Sequence, residues 1–146
     1  MAIRSLALVT LVGTVAAAGP VLAGPASDGA PVQVSVSEAR GKVGEPTFLT
    51  ARLTIAEGYE FIEPPPRGNR VIELSSADKA VEFARRVFRG KLEDNAITFR
   101  LEVTPTKPGA HPINGVFRVS YVVHTESEHH LRHVSLPLIS TVVGTE

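Results

Sequence analysis

Four of the chain's five histidines, His124, His129, His130 and His133, fall within ten positions of a sequence that contains no cysteine. Neutral imidazole is a good ligand for Cu(II) and Zn(II), so this cluster is a candidate donor set for copper or zinc. The spacing matches neither a zinc finger nor an HExxH helix, and a polar, solvated loop carrying unligated histidines is the competing reading. Glu126, Ser127 and His129 offer the residue types of a hydrolytic triad. They are neighbours in one loop, with no nucleophile elbow and no evident oxyanion hole, and chance co-occurrence explains them. The lack of cysteine excludes thiol catalysis, disulfide exchange and thiolate metal sites.

The elements that must position these histidines read as short strands. Val32, Val34 and Val36 alternate with polar residues, and so do Leu49, Ala51, Leu53 and Ile55, the two-residue period of a half-buried strand. Gly41 to Pro46 separates them as a turn. Tyr59 to Ile62 runs extended into Pro64-Pro65-Pro66, where missing amide donors must end a ladder. Val71 to Leu74 is a further short strand. Residues 77–88 carry both helical and extended signals, and a short strand or irregular segment is the preferred reading. Asp94-Asn95 marks a turn into Ile97, Phe99, Leu101 and Val103, and Pro105 to Gly109 marks the next. Phe117, Val119, Tyr121 and Val123 form one inward row; Val134, Leu136 and Leu138 form the last. His111 falls in a connecting loop. Six to eight short strands separated by turn signals predict an all-β fold, an immunoglobulin-like antiparallel β-sandwich.

Inward residues are odd-numbered on the first strand of the final hairpin and even-numbered on the second, which constrains the register. The register expected here sets Val123 against Val134, Tyr121 against Leu136 and Val119 against Leu138. It would bring His124 opposite His133 on the outer face, with Cβ atoms roughly 5 Å apart, and leave His129 and His130 in the connecting loop.

Residues 1–23 have the pattern of a secretory signal peptide: Arg4, an apolar run from Leu6 to Leu22, and Val21-Leu22-Ala23 before Gly24. Residues 24–31 then form a flexible leader and 32–146 a single β-sandwich domain, within the usual span of about 100 to 150 residues. A periplasmic or secreted location follows from that reading. No later apolar run approaches the roughly 20 residues of a membrane-spanning helix, so no membrane insertion is expected after cleavage. The 15 basic and 15 acidic side chains balance, and neither a basic stripe nor a phosphate-binding glycine loop points to nucleic acid.

Leu53-Thr-Ile-Ala-Glu-Gly58-Tyr59, Phe88-Arg-Gly90-Lys91, Val119-Ser-Tyr121 and Leu136-Pro-Leu138 together resemble the amino-terminal periplasmic domain of the membrane thiol-disulfide reductase DsbD. The resemblance runs from Phe48 over most of the remaining chain and implies an immunoglobulin-like sandwich. Members of that family carry a redox cysteine pair after the Val-x-Tyr strand, shielded by an aromatic residue on a cap loop. By this resemblance the cysteine positions fall on His124 and His130, and Phe88 matches the cap aromatic. Imidazole cannot carry disulfide exchange, so the family's activity would be absent while its scaffold and docking surface remain.

These observations predict a non-enzymatic binding domain that engages a periplasmic protein partner through Phe88, His124 and His130. The alternative is a copper- or zinc-delivery protein using His124, His129, His130 and His133.

Overall fold

The computed structural model describes residues 22–24, 31–125 and 128–146. The expected signal peptide and the leader after it fall almost wholly outside the described residues, as do Glu126 and Ser127. The peptide's last positions, within β1 (Leu22–Gly24), pair antiparallel with β2 (Val32–Val36).

Alternation of apolar and polar side chains builds the first sheet. Val32, Val34 and Val36 of β2 are buried, as are Leu49, Ala51 and Leu53 of β4 (Thr47–Ile55). Both turn the same face inward as Ile97, Phe99, Leu101 and Val103 of β10 (Ala96–Pro105). The order is β1-β2-β4-β10-β7, where β7 is Val81–Phe83, and β9 (Lys91–Glu93) joins β10 through the Asp94-Asn95 turn. Both turn residues have positive φ, 50° and 55°, the backbone of a tight hairpin turn that Asp and Asn accept.

The second sheet has the order β3-β12-β11-β6-β8: β3 is Ala39–Lys42, β12 His129–Thr145, β11 Gly109–His124, β6 Arg70–Ser76 and β8 Phe88–Arg89. β5 (Tyr59–Ile62) also pairs with β11, beyond the end of β6. This division of strands, with faces meeting across one core, is an immunoglobulin-like sandwich. Phe99 and Phe117 come from opposite sheets, are fully buried, and meet with centroids 5.2 Å apart.

Two departures from the expected elements have local causes. Gly41 and Lys42, assigned to a turn, belong to β3, which pairs in parallel with the end of β12. The chain crosses from one sheet to the other at Ser37-Glu38, where hydroxyls add to the bond from the Ser37 amide to the Thr50 carbonyl, 2.9 Å long. Ser37 Oγ donates to the Thr50 carbonyl at 3.1 Å and accepts the Thr50 amide at 3.0 Å, while Ser140 Oγ donates to the Ser37 carbonyl at 2.9 Å. His111 lies within β11 rather than in a loop, with Nε2 2.7 Å from the Lys107 carbonyl. The ambiguous segment 77–88 resolves into a three-residue 3-10 turn (Ala77–Lys79), β7, an irregular stretch and the start of β8.

Candidate functional site

β11 and β12 are the longest strands, and their hairpin closes more tightly than expected. Thr125 N–H donates to the Glu128 carbonyl at 3.1 Å, and Thr125 Oγ1 donates to the same oxygen at 2.8 Å. That closure sets His124 against His129, Val123 against His130, Tyr121 against Arg132, Ser120 against His133 and Val119 against Val134. The expected pairings of Val123 with Val134, Tyr121 with Leu136, Val119 with Leu138, and His124 with His133 are therefore incorrect. The inward parity is the expected one, with the same residues facing the core; the register differs because the loop is shorter, and a slip that preserves parity leaves the hydrophobic pattern unchanged.

The corrected register separates the four histidines. His124 and His129 share the outer face, their Nδ1 atoms 2.8 Å apart and their rings edge to face. His124 Nε2 lies 2.8 Å from the Glu60 carboxylate, which is positioned by β5 on the other side of β11. A carboxylate only accepts, so Nε2 carries the proton there. One of the two facing Nδ1 atoms then carries the proton that the rings share. His130 belongs to the opposite pleat and pairs with Glu128 at 3.0 Å. His133 is four residues from His129 along β12, roughly 13 Å away, and its Nδ1 sits 2.6 Å from Ser120 Oγ. The four-histidine donor set does not assemble. Among the described residues no group of three His, Asp or Glu side chains is arranged to hold a metal ion. Even Glu60, His124 and His129 use both ring nitrogens of the central histidine on each other.

Phe88 is also not where the resemblance would have it. The ring is buried, 7% exposed, and belongs to the core cluster. β8 pairs it with Val71, which faces Phe117. Phe117 is seven residues from His124, roughly 24 Å along the strand, so Phe88 stands with the core rather than over the hairpin. Two residues on, Gly90 packs against Ile97 and Phe99 with no room for a side chain, which holds the β8–β9 corner against the core.

The outer face beside His133 is built by an excursion between β5 and β6. Pro64 to Pro66 cannot continue the ladder, and the chain folds over the sheet before returning as β6. Gly68, at φ +66°, donates its amide to the Pro64 carbonyl at 2.7 Å. Asn69, only 2% exposed, anchors the return: Nδ2 donates to the Ile62 carbonyl at 2.9 Å, and Oδ1 accepts the Ser120 amide at 3.1 Å. A shallow cleft runs along this loop past Arg67, Arg70, Arg118, Ser120 and His133. A second cleft adjoins it, lined by Arg67, Arg70, Ile72, Val87, Arg89 and Arg118.

These arginines had no motif to reveal them. Arg118 lies directly opposite Arg70, and Arg70 directly opposite Arg89, so three guanidinium side chains form one row across β11, β6 and β8. Only the tandem Arg85-Arg86 and Arg89 hinted at local basicity in the sequence.

No protein-family model and no curated protein matches the chain. Among solved structures it is similar to AggA, the major subunit of aggregative adherence fimbriae type I from Escherichia coli. That similarity has 13% identity and a TM-score of 0.40, over 82% of this chain and 99% of that one. It is also similar to a cohesin module of a family 33 glycoside hydrolase from Clostridium perfringens, at 10% identity and a TM-score of 0.29, over 78% of this chain and 96% of the module.

Proposed function

We propose that this chain is an exported, non-catalytic interaction domain that binds a protein partner through the outer face of the β3-β12-β11-β6-β8 sheet. The observation that carries this reading is where the exposed large apolar side chains sit. Leu131 (49% exposed) and Ile139 (59%) both point outward from β12, and Val87 (45%) leads into β8 on the same sheet. On the other sheet Phe48 is the counterpart, and the Arg100 guanidinium covers its ring at 3.8 Å. Leu131 and Ile139 stand eight residues apart on β12, roughly 26 Å, so they bracket this face rather than form one patch, and the spacing favours an extended contact with another protein. The signal-like first 23 residues support an extracytoplasmic location, periplasmic or secreted. The resemblance to the DsbD amino-terminal domain supports the same class, a docking scaffold without redox cysteines, with His124 at the exposed hairpin end and Phe88 in a core role. A copper or zinc carrier draws less support, because His124 and His129 supply two donors where zinc sites use three or four protein ligands.

The test is site-specific photocrosslinking in the native host, with a photoreactive residue at Leu131 or Ile139 and a control at Phe48. A single reproducible protein adduct from the first two positions, absent from the third, is the expected result. Equal labelling at all three, or none, would refute this face as the binding surface.

A further inference from the structure

Arg118, Arg70 and Arg89 stand directly opposite one another on three adjacent strands, an arrangement that is destabilising when uncompensated. Arg67 joins them from the proline loop. None of the four forms an ion pair with a carboxylate among the described residues. Among the described residues, no Asp or Glu lines either adjoining cleft. Glu63 lies on the same loop but packs beside Gly68, outside both linings. Arg70 Nη1 donates to the Gly68 carbonyl at 3.2 Å, which orients its guanidinium without bringing a carboxylate into ion-pair distance.

We infer that this arginine row is the recognition element for an acidic, extended segment of the protein partner. The inference deepens the interaction reading above and rests on it. Adjacent strands are about 4.8 Å apart, so the row spans roughly 10 Å. Carboxylates at alternate positions of an extended peptide are about 6.7 Å apart on one side, which lets two of them engage three guanidinium forks. Ile72 and Val87 border the row and give apolar side chains of such a peptide a place to pack. A sulfated glycan would satisfy the arginines and leave that apolar border without contact. Arginine rather than lysine suits planar, two-pronged recognition of carboxylates.

The experiment is fluorescence anisotropy of the full chain with a labelled eight-residue peptide, Leu-Ser-Glu-Ser-Glu-Ser-Leu-Ser, which presents Glu and Leu together on one extended face. Its Lys-Leu counterpart and a heparin-derived sulfated oligosaccharide serve as the other probes. The acidic peptide should bind saturably and the Lys-Leu peptide should not. Affinity should fall at least tenfold in the R70Q/R118Q double variant and stay unchanged in R52Q, which alters the opposite sheet. The double variant should also melt higher than the parent, because removing two like charges relieves the row. Unchanged peptide binding in R70Q/R118Q, or a lower melting temperature, overturns the inference. So does a sulfated oligosaccharide that binds through the same arginines more tightly than the peptide. If the peptide fails while crosslinking at Leu131 still yields one partner, the acidic segment is wrong and the interaction face stands. Failure of both removes both.

Discussion

Placing cysteines at His124 and His129 should install a disulfide across the final hairpin, because the two residues are direct antiparallel partners. Thr125 and Glu128 make the bonded closure, so the adjacent His124–His129 pair is of the non-hydrogen-bonded kind. Such pairs have Cα atoms about 4.5 Å apart, inside the range a disulfide spans. The closed loop is short, and loop-closure entropy limits the gain to about 2 kcal/mol. For a domain of this size that is a rise of roughly 5–10 °C in melting temperature. The parent has no cysteine, so thiol alkylation followed by intact mass reads the bond directly, and melting with and without reductant reads its energy. Two further variants make the result decisive. H124C/H133C tests the looser register, in which the residues would face each other; here they are separated by four residues of β12. H124C/H130C tests the six-residue spacing of the DsbD family; here His130 pairs with Val123 and points to the other pleat. Both should remain reduced under mild oxidation that fully closes H124C/H129C. Comparable oxidation of either would refute the register, and with it the separation of the histidines.

Two other outcomes follow from the same geometry. Asn69→Ala removes the acceptor of the buried Ser120 amide and the donor to the Ile62 carbonyl; it should cost about 2–4 kcal/mol by chemical denaturation, and a loss below 0.5 kcal/mol would mean water replaces both bonds. Calorimetric titration with Cu(II) or Zn(II) should yield only weak binding, removed by H124A/H129A and indifferent to H133A, whereas tight one-to-one binding sensitive to His133 would reinstate the four-histidine site.

Much of this protein was legible without coordinates, because a strand with one buried face must alternate. Val32 to Val36, Leu49 to Ile55 and Ile97 to Val103 read as strands, and each turns the predicted row inward, with Ile55 at its strand's end only partly buried. Three consecutive prolines end β5, and the Asp94-Asn95 turn carries the positive φ values that its residue types permit. Even the inward parity of the last hairpin was readable. What parity cannot supply is the register itself, since sliding a strand by two residues keeps every apolar side chain inside. Thr125 and Glu128 close the turn early, and that decided which histidines meet.

Long-range placement was the second thing beyond reach. Phe88 matches a cap aromatic by resemblance, yet pairing with Val71 buries it in the core. Ala39 to Lys42 reads as the approach to a turn, and only the far end of β12 makes it a parallel strand. The arginine row shows the limit most plainly. Arg70, Arg89 and Arg118 are far apart along the chain and share no motif. The sequence by itself determined the all-β class, the strand faces and the absence of thiol chemistry, because these depend on residue type and local period. Tertiary structure alone decided which polar side chains stand together, because that depends on register between strands distant in sequence.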